Sequence, residues 1–357
     1  MILQCKGGDR VLVCPLGWGL GHATRMLPII DTLLKKDCKV IVAADSHIAE
    51  FIQSNYPTVE TDFLPSLKVR LGKSRFANLT LIVIAFKIIW HTWLERRAIG
   101  KLVNRHEASL VISDNRYGLY AKYIPSVLVT HQFSIQFPWP FKWAKPIGEW
   151  YVRRYANRFS QCWIPDNPGE NSLTGMLTQP KKLPSNVHFI GLLSRFSGAQ
   201  ILPSEFGWEL LGIVSGPEPQ RQMFEDELVN LSNKLGVKCL IVQGKPGGDV
   251  KPAEAGLASL VPHLSSTDMA KAIVSSKYIV CRSGYSTIMD LIALNRRALL
   301  VPTPGQTEQE YLANHLSAKN IFKMVSQKNL RSIRLINLNE IEKTPIHVSF
   351  KGVFFND

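Results

Sequence analysis

One stretch of the sequence, Tyr278 to Asp290, does most to limit the folds open to this chain. It begins with a short apolar run, Tyr278 to Cys281, which is typical of a buried strand. The run breaks at residues 282–284, and an apolar-periodic segment follows with Ile288 and Leu291 on one face. The stretch therefore predicts a strand, a tight turn and a helix, which is the repeating unit of α/β proteins.

The predicted helix starts among small polar residues, namely Ser283, Gly284, Ser286 and Thr287. Unpaired backbone N–H groups and the helix dipole favour an anion at such a start, and small side chains let a phosphate approach. Asp290 follows one turn later, where its carboxylate could accept hydrogen bonds from a ribose diol. An ordinary capped helix explains the same residues, since Ser and Thr are frequent at helix starts.

A second predicted strand, Ala298 to Val301, runs into a loop that contains Pro and Gly. The loop and the segment after it carry Gln306, Gln309 and Glu310. Polar side chains at the ends of two adjacent strands are where an open α/β sheet presents its ligand contacts. Residues 278–310 therefore predict a ligand site at one edge of a sheet.

The N-terminal part of the chain predicts a second sheet built from the same unit. Arg10 to Pro15 indicates a buried strand, residues 23–36 indicate a helix, and Lys39 to Ala43 indicates the next strand. The turn after the first strand is rich in glycine at alternate positions, a spacing that differs from the dinucleotide-binding fingerprint. The glycines are Gly17, Gly19 and Gly21.

Polar residues follow the predicted strands of this N-terminal part. His22 stands at the start of the first helix, and Asp114, Asn115 and Arg116 follow the predicted strand Leu110 to Ser113. If the sheet is parallel, these side chains lie near one another at its carboxyl edge. The alternatives are a histidine that caps its helix or faces solvent and an aspartate that only caps the next turn.

The 357 residues are long enough for two domains with their own cores. Residues 1–165 predict an N-terminal domain, and the aperiodic, Pro- and Gly-containing residues 166–205 predict a connection, with Val187 to Gly191 leading into the second domain. Residues 206–330 predict that second domain, beginning with a strand that ends at Ser215 and Gly216 and a helix from Pro219. Residues 331–357 show no clear element and are interpreted as a tail.

The net charge indicates the class of binding partner, and the cysteines indicate the cellular compartment. A net charge of +14 implies an anionic partner, either nucleic acid or an acidic membrane surface. The sequence has no zinc finger, helix–turn–helix or RNA-binding aromatic motif, which favours the membrane. The six scattered cysteines are typical of reduced, buried thiols in a cytoplasmic protein, and no signal peptide is visible.

Residues 68–105 combine basic and apolar side chains, with Glu95 as the single acid. A helix with this composition suits interfacial membrane binding, which needs apolar burial together with attraction to anionic lipid. The alternative is a buried domain helix with basic ends. The apolar side chains predicted to face the membrane are Ile82, Phe86, Ile89, Trp90 and Trp93.

Three segments, Cys281 to Asp290, Leu300 to Pro302 and Gln309 to Asn314, resemble the donor-site signature of family 28 glycosyltransferases. The resemblance is greatest to members that add N-acetylglucosamine to the undecaprenyl-linked precursor of peptidoglycan. It implies the GT-B fold, an α/β architecture of two doubly wound, Rossmann-like domains that face each other across a cleft. Two departures stand out, because Trp18 and Leu20 separate single glycines where the family has pairs, and Glu310 replaces a glutamine.

The resemblance also implies an activity. It is the inverting transfer of a sugar, N-acetylglucosamine by analogy, from a UDP-sugar to a hydroxyl of a lipid-linked or amphiphilic acceptor. The protein would be cytoplasmic and peripheral on the inner face of the membrane, and its reaction would need no metal or other cofactor. The sequence contains no Asp-x-Asp metal motif, which agrees with that expectation.

The resemblance assigns roles to the candidate residues. His22 would be the general base, with Asp114 as its alternative or helper, while Asp290 would hold the ribose. Diphosphate contacts would come from Ser215, Gly216, Arg282, Ser283 and Gly284, sugar contacts from Gln309 and Glu310, and acceptor-loop contacts from Gly17, Gly19, Gly21, Asn115 and Arg116. Two other hypotheses stay open, a nucleotide-sugar 2-epimerase of the same architecture and a non-catalytic nucleotide-sugar-binding subunit.

Overall fold

The computed structural model describes residues 5–67, 77–138, 141–198, 201, 207–245 and 252–342, with the side chains of residues 77–85 and 342 left out. The chain forms two compact units. The described residues of the first unit lie within Met1–Ile135 and Trp143–Leu193, and those of the second lie within Gln136–Lys142 and Ser194–Phe350.

The first unit contains a parallel sheet of seven strands in the order β3-β2-β1-β4-β5-β6-β7. The strands are β1 Arg10–Cys14, β2 Lys39–Ala44, β3 Glu60–Phe63, β4 Leu110–Asp114, β5 Ser126–Val129, β6 Gln161–Ile164 and β7 Val187–Phe189. The helices are α1 Leu20–Lys35, α2 Ser46–Asn55, α3 Ala77–His106 and α4 Lys145–Ala156.

Helices cover both faces of this sheet. On one face, Val11 and Val13 of β1 join a buried cluster with Met26 and Ile30 of α1. On the other face, alternate residues of the same strand pack in a cluster that includes Ile99 of α3. Strands that are buried on both faces read as continuous apolar runs, which is why β1 was recognisable in the sequence.

The second unit contains a sheet of seven strands in the order β10-β11-β9-β8-β12-β13-β14, all parallel except for the antiparallel pair β10–β11. The strands are β8 Leu210–Ile213, β9 Cys239–Val242, β10 Ala253–Ala255, β11 Ala258–Val261, β12 Tyr278–Cys281, β13 Leu299–Leu300 and β14 Lys323–Met324. The helices are α5 Gln220–Leu235, α6 Ser266–Ser275, α7 Tyr285–Ala293, α8 Thr307–Ala318 and α9 Leu335–Glu342. The prediction of two doubly wound α/β domains is confirmed.

The segment between residues 166 and 193 differs from the expected connection. Val187 to Phe189, expected to lead into the second domain, is the edge strand β7 and pairs with β6 of the first sheet. The irregular backbone before it is organised by the buried Asp166, whose carboxylate accepts hydrogen bonds from the backbone N–H groups of Leu173 and Thr174. The first unit therefore continues to Leu193, beyond the boundary predicted at residue 165.

Two helices also differ from the sequence interpretation. Helix α1 begins at Leu20 instead of Ala23, so Gly21 and His22 lie within its first turn. The predicted tail contains α9, whose Leu338 and Ile341 join the buried cluster beneath the second sheet. An eight-residue helix is too short for its periodicity to stand out from a single sequence.

Candidate active site

Four polar side chains converge at the carboxyl edge of the first sheet. His22 lies in the first turn of α1 after β1, Asp114 is the last residue of β4, and His131 follows β5. Arg25 lies one turn after His22 on α1 and is buried. Because β1, β4 and β5 are neighbours in a parallel sheet, the three strand ends bring these side chains together.

Asp114 is at the centre of this cluster. Its Oδ2 lies 2.8 Å from Nδ1 of His22, and its Oδ1 forms an ion pair with Nη2 of Arg25. Nη1 of Arg25 also lies 2.6 Å from Nδ1 of His131, and Nη2 lies 2.8 Å from Nδ1 of His22. The structure therefore brings the two predicted catalytic residues, His22 and Asp114, into direct contact.

The carboxylate is held ionised against its surroundings. The Asp114 side chain is 0% exposed, and this burial raises its pKa, but the charges and hydrogen bonds of Arg25 and His22 outweigh burial and lower the pKa below its ordinary value. The His22 side chain keeps 18% of its surface exposed. A buried carboxylate behind a partly exposed imidazole is an arrangement that can orient a general base.

The glycine-rich turn before His22 is shaped by close packing. A Cβ atom at Gly17 would lie 2.0 Å from Oδ2 of Asp45, and the N–H of Gly17 donates to Oγ of Ser66 at 2.8 Å. Gly19 has a φ of 147°, in a region that favours glycine. Gly21 is exposed beside His22, and Trp18 is half exposed.

Asn115 and Arg116 lie directly after Asp114 and take part in internal contacts. Oδ1 of Asn115 accepts a hydrogen bond of 2.6 Å from Oγ1 of Thr130. The buried Arg116 donates from Nε to Glu95 of α3 at 2.8 Å, and its other nitrogens donate to the carbonyl groups of Leu64 and Pro65. In this structure both side chains hold the loop that follows β4.

At the carboxyl edge of the second sheet, the arginine of the signature, Arg282, is buried in the protein. Arg282 is fully buried, and its guanidinium donates to the carbonyl groups of Gln220, Val301 and Pro302. Burial lowers the pKa of Arg282 to about 10. The side chain of Ser283 is also buried and donates to the carbonyl of Gln309 at 2.8 Å. Gly284 is the N-cap residue of α7, where no side chain caps the helix.

Asp290 is buried on α7 and has two partners that the sequence interpretation did not anticipate. It accepts hydrogen bonds from Oγ of Ser194 at 2.6 Å and from Nε of Arg195 at 3.1 Å. Burial raises the pKa of Asp290, and the charge of Arg195 only partly opposes this. No local signal links residues 194 and 195 to residue 290, because the three meet only through the fold.

The remaining donor-side residues surround the loop after β13. Oε1 of Gln309 accepts from the N–H of Thr303 at 2.9 Å, and Oε1 of Glu310 accepts from the N–H of Gly305 at 2.9 Å. Ser215 is partly exposed, and Gly216 has a positive φ. A Cβ atom at Gly216 would lie 3.9 Å from Oγ1 of Thr303.

Thr303 is a candidate that sequence reasoning missed. Its side chain is buried, and its hydroxyl has no hydrogen-bond partner among the described residues. A buried hydroxyl without a partner is uncommon in proteins. Its place beside the Ser215-Gly216 turn brings it next to the predicted diphosphate contacts.

Large hydrophobic side chains are exposed on α3. Phe86, Ile89, Trp90 and Trp93 are 70%, 52%, 61% and 41% exposed, whereas the side chain of Ile82 lies outside the described residues. Together with the loop from Leu64 to Leu67, the helix encloses a cavity of about 700 Å³. No helix in the described parts of the chain is long and apolar enough to cross a bilayer.

The described residues contain no group of three or more His, Cys, Asp or Glu side chains that could hold a metal ion.

Comparisons with known proteins give independent findings. The family model described as "Glycosyltransferase family 28 C-terminal domain" matches residues 253–344. A relative from Rhizobium leguminosarum bv. trifolii, named as a UDP-N-acetylglucosamine--N-acetylmuramyl-(pentapeptide) pyrophosphoryl-undecaprenol N-acetylglucosamine transferase, is 35% identical over 340 residues, which cover 90% of this chain and 83% of the relative. A relative of the same name from Sinorhizobium medicae is 38% identical over 74 residues, and the chain spans only 20% of its length.

Solved structures share the fold at low sequence identity. The glycosyltransferase SnogD from Streptomyces nogalater superimposes with a TM-score of 0.60 at 12% identity, covering 94% of this chain and 91% of that one. MurG from Acinetobacter baumannii gives a TM-score of 0.54 at 15% identity, covering 93% and 91%. These matches confirm the fold predicted from the signature.

Proposed function

Because the chain belongs to glycosyltransferase family 28, we propose that it is a UDP-sugar-dependent glycosyltransferase that moves N-acetylglucosamine onto a hydroxyl of a lipid-linked or amphiphilic acceptor. The relative that aligns over 340 residues is named as an N-acetylglucosamine transferase, which supports the choice of sugar. The transfer would invert the anomeric configuration and take place at a membrane surface on the cytoplasmic side.

The contact between His22 and Asp114 carries this proposal. Inversion requires in-line attack of the acceptor hydroxyl on the anomeric carbon and removal of the hydroxyl proton by a base. With Nδ1 of His22 against the Asp114 carboxylate at 2.8 Å, the other ring nitrogen, Nε2, is the atom available to the acceptor. The oxygen–carbon bond to the acceptor forms as the bond to UDP breaks, and the proton passes to Nε2.

On the donor side, we assign the leaving diphosphate to the turn between β12 and α7. Gly284, the N-cap residue of α7, forms no side-chain cap, and a helix start of this kind favours an anion through its dipole. Ser215, Gly216 and the hydroxyl of Thr303 would add contacts from the neighbouring strand ends. Arg282 donates to three carbonyl groups, so its contribution would be the position of the turn and a favourable charge nearby.

The ribose and sugar assignments are also proposals. Binding of a ribose diol by Asp290 would require its carboxylate to exchange the hydrogen bond from Ser194 or Arg195 for one from the nucleotide. One side-chain oxygen of Gln309 and one of Glu310 accept hydrogen bonds from the loop after β13. The other polar atom of each side chain would contact the sugar hydroxyls.

The exposed side chains of α3 support a membrane-bound acceptor. Phe86, Ile89, Trp90 and Trp93 present apolar surface to solvent, and the exposed Lys87 and Arg97 add positive charge on the same helix. Apolar burial combined with attraction to anionic lipid is the usual basis of interfacial binding. We propose that this face of α3 meets the bilayer.

Release of UDP tests the proposed function. Purified protein would be offered a panel of UDP-sugars with and without bacterial membrane lipid extract, and wild type would be compared with His22→Ala. We expect lipid-dependent release that is greatest with UDP-N-acetylglucosamine and falls by about 10²- to 10⁴-fold in His22→Ala. His47→Ala, which removes an exposed histidine of α2, is the matched control and should retain activity.

The same assay separates the other hypotheses. Epimerised sugar without lipid would indicate the 2-epimerase, and donor binding without turnover on any lipid would indicate the binding subunit. Activity that persists in excess EDTA is expected if the reaction needs no metal. Activity that disappears with EDTA and returns with a divalent cation would contradict that part of the proposal.

A further inference from the structure

The contacts around Nδ1 of His22 cannot all be hydrogen bonds at the same time. This nitrogen lies 2.8 Å from Oδ2 of Asp114 and 2.8 Å from Nη2 of Arg25. A carboxylate only accepts hydrogen bonds, and a guanidinium only donates them. Nδ1 must therefore either carry a proton and donate to Asp114, or carry a lone pair and accept from Arg25.

Burial decides between the two states. If Nδ1 accepted from Arg25, Oδ2 of Asp114 would lose its donor at a position that is 0% exposed, and a buried acceptor without a hydrogen bond is costly even when the other oxygen is paired. If Nδ1 donates to Asp114, Arg25 still has Oδ1 of Asp114 and Nδ1 of His131 as acceptors. The arrangement that satisfies the buried carboxylate therefore places the ring proton of His22 on Nδ1.

From this geometry we propose that Arg25 is a positioning residue for the base: it holds Asp114 as a carboxylate, and so holds the ring proton of His22 on Nδ1 and leaves the lone pair of Nε2 for the acceptor hydroxyl. The inference rests on the proposed role of His22. It adds a residue that the donor and acceptor assignments above do not include.

The loss of Arg25 would reverse the proton arrangement. Burial raises the pKa of Asp114, and the charge of Arg25 is the largest of the opposing influences. Without the guanidinium, Oδ1 of Asp114 loses its ion-pair partner inside the protein, and burial then favours the protonated carboxyl, which would donate a hydrogen bond to Nδ1 of His22. The neutral ring then carries its own proton on Nε2, where it can no longer accept one from a substrate.

His131 fixes the guanidinium in place. Because arginine only donates, the contact of 2.6 Å between Nη1 of Arg25 and Nδ1 of His131 requires a lone pair on that nitrogen. Nδ1 of His131 is therefore the acceptor in this arrangement. The side chain is buried after β5, so it holds Arg25 against Asp114 from within the unit.

The surface of the same unit offers a matched control. Asp62 accepts from Nε2 of His106 at 2.8 Å and from Nη1 of Arg105 at 2.9 Å, so it repeats the histidine, aspartate and arginine combination. Arg105 is 63% exposed, and water can replace it as a partner of the carboxylate. Arg105→Met thus removes the same functional group without the burial.

The test reads the ring protons directly. Protein with ¹⁵N-labelled histidine at about pH 8, where an ordinary imidazole is neutral, would be studied by two-bond ¹H–¹⁵N correlation spectra, with His22 assigned from His22→Ala. We expect the Nδ1–H form of His22 in wild type, in Arg105→Met and in Arg25→Lys, which keeps the charge. We expect the Nε2–H form in Arg25→Met.

Kinetics provide a second readout. Arg25→Met should lower kcat for UDP release by about 10²-fold with little change in KM for the UDP-sugar, and Arg25→Lys should recover part of kcat. The Nε2–H form in wild type, or an unchanged Nδ1–H form in a folded Arg25→Met, would overturn the inference. If Arg25→Met does not fold, the Nε2–H form in wild type would still overturn the inference.

Failure of this inference and failure of the proposed function are distinguishable. If wild type is active, His22→Ala is inactive and the His22 tautomer is the same in wild type and Arg25→Met, the inference is overturned but the proposed function stands. A wild type with no turnover, but with a tautomer that follows Arg25, overturns the catalytic function and supports the proton arrangement.

Discussion

Each of the two sheets of this protein carries polar residues at its own carboxyl edge, but the residues differ in exposure. In the first unit, the buried Asp114 and Arg25 reach a partly exposed imidazole, so the internal charges act on a side chain that a substrate can meet. In the second unit, Arg282 and Asp290 are buried against other protein groups. At that edge we proposed that the diphosphate binds at the start of α7, where no side chain caps the helix.

The difference shows that a charged residue of the signature can be engaged in contacts within the protein. Arg282 fixes the start of α5 and the segment after β13 through three carbonyl groups, which positions the turns that we assigned to the diphosphate. Proton transfer needs a titratable side chain, whereas a diphosphate can be held by N–H groups and small side chains. Each edge has the groups that its proposed task requires.

The largest expected effect is on Arg282. We predict that Arg282→Met lowers the free energy of unfolding by about 3 kcal/mol, because two buried carbonyl groups and a partly buried one lose this donor. Urea unfolding at neutral pH would measure this. Arg221→Met is the control, since Arg221 forms a partly exposed ion pair with Glu218 and should cost less than about 1 kcal/mol. If the two variants were equally stable and Arg282→Met had a raised KM for the donor, Arg282 would be a ligand contact. The two sheet edges would then not differ in how they use their charged residues.

The next prediction concerns the exposed aromatic residues of the first unit. Phe86→Ser and Trp90→Ser should each weaken binding to anionic phospholipid vesicles by about tenfold, because each loses about 1.5–3 kcal/mol of potential apolar burial. Tyr123→Ser is the control, because Tyr123 is 86% exposed and lies outside α3. Vesicle sedimentation would measure the binding. An equal loss in all three variants would show that the bilayer does not recognise α3.

A third prediction uses pH to compare the two buried aspartates. The pKa of Asp114 is lowered in the folded protein, so its contribution to stability is present above the unfolded value of about 3.9 and is lost as the pH falls. The pKa of Asp290 is raised, because burial outweighs Arg195, so stability is lost as the pH rises through the folded value. The two carboxyl groups should therefore respond to acid in opposite directions.

Matched substitutions make this measurable. As the pH falls from 7 towards 3, the difference in stability between wild type and Asp114→Asn should shrink. Over the same range, the stability of wild type should rise relative to that of Asp290→Asn. Thermal unfolding across this pH series would follow both. Parallel pH responses of the two variants would mean that the aspartates have equivalent surroundings.

The smallest expected change in stability comes from adding a methyl group on either side of α3. A Cβ atom at Gly100 would meet no other atom within 4 Å, so Gly100→Ala should raise stability by about 0.5–1 kcal/mol through helix propensity. A Cβ atom at Gly118 would lie 2.2 Å from the carbonyl oxygen of Thr92, so Gly118→Ala should destabilise. Urea unfolding would give both values, and stabilisation by Gly118→Ala would contradict the packing described for the inner face.

Much of the fold was predictable, because the strands are buried on both faces and read as continuous apolar runs. The strands β1, β2, β4, β8 and β12 were each located in the sequence, and the turns after β1, β8 and β12 were located from Gly, Ser or Pro. The edge strand β7 was misplaced because its three residues are only partly buried and lie within irregular sequence. Its partner is decided by the fold, not by its own pattern.

The candidate site was predictable only in part, for the same reason. His22 and Asp114 stand directly after strands, where topology alone brings them to one edge. Arg25 gave a weak signal, since it follows His22 by one helical turn and so shares its face. The partners of Asp290, Ser194 and Arg195, precede it by 96 and 95 residues in the sequence, and no local pattern encodes such a contact.

In the described part of helix α3, buried polar contacts attach one side of the helix to the first unit. Glu95 is buried and binds Arg116 and the N–H of Gly118, and Oγ1 of Thr92 lies 2.7 Å from the hydroxyl of Tyr151. The pKa of Glu95 is lowered because His91 and Arg116 outweigh its burial, so detaching the helix would strand charges in the interior. Substitutions on the outer side can accumulate without disturbing this fastening. The exposed surface of α3 can therefore change in composition while the loop after Asp114 keeps its contacts with the helix.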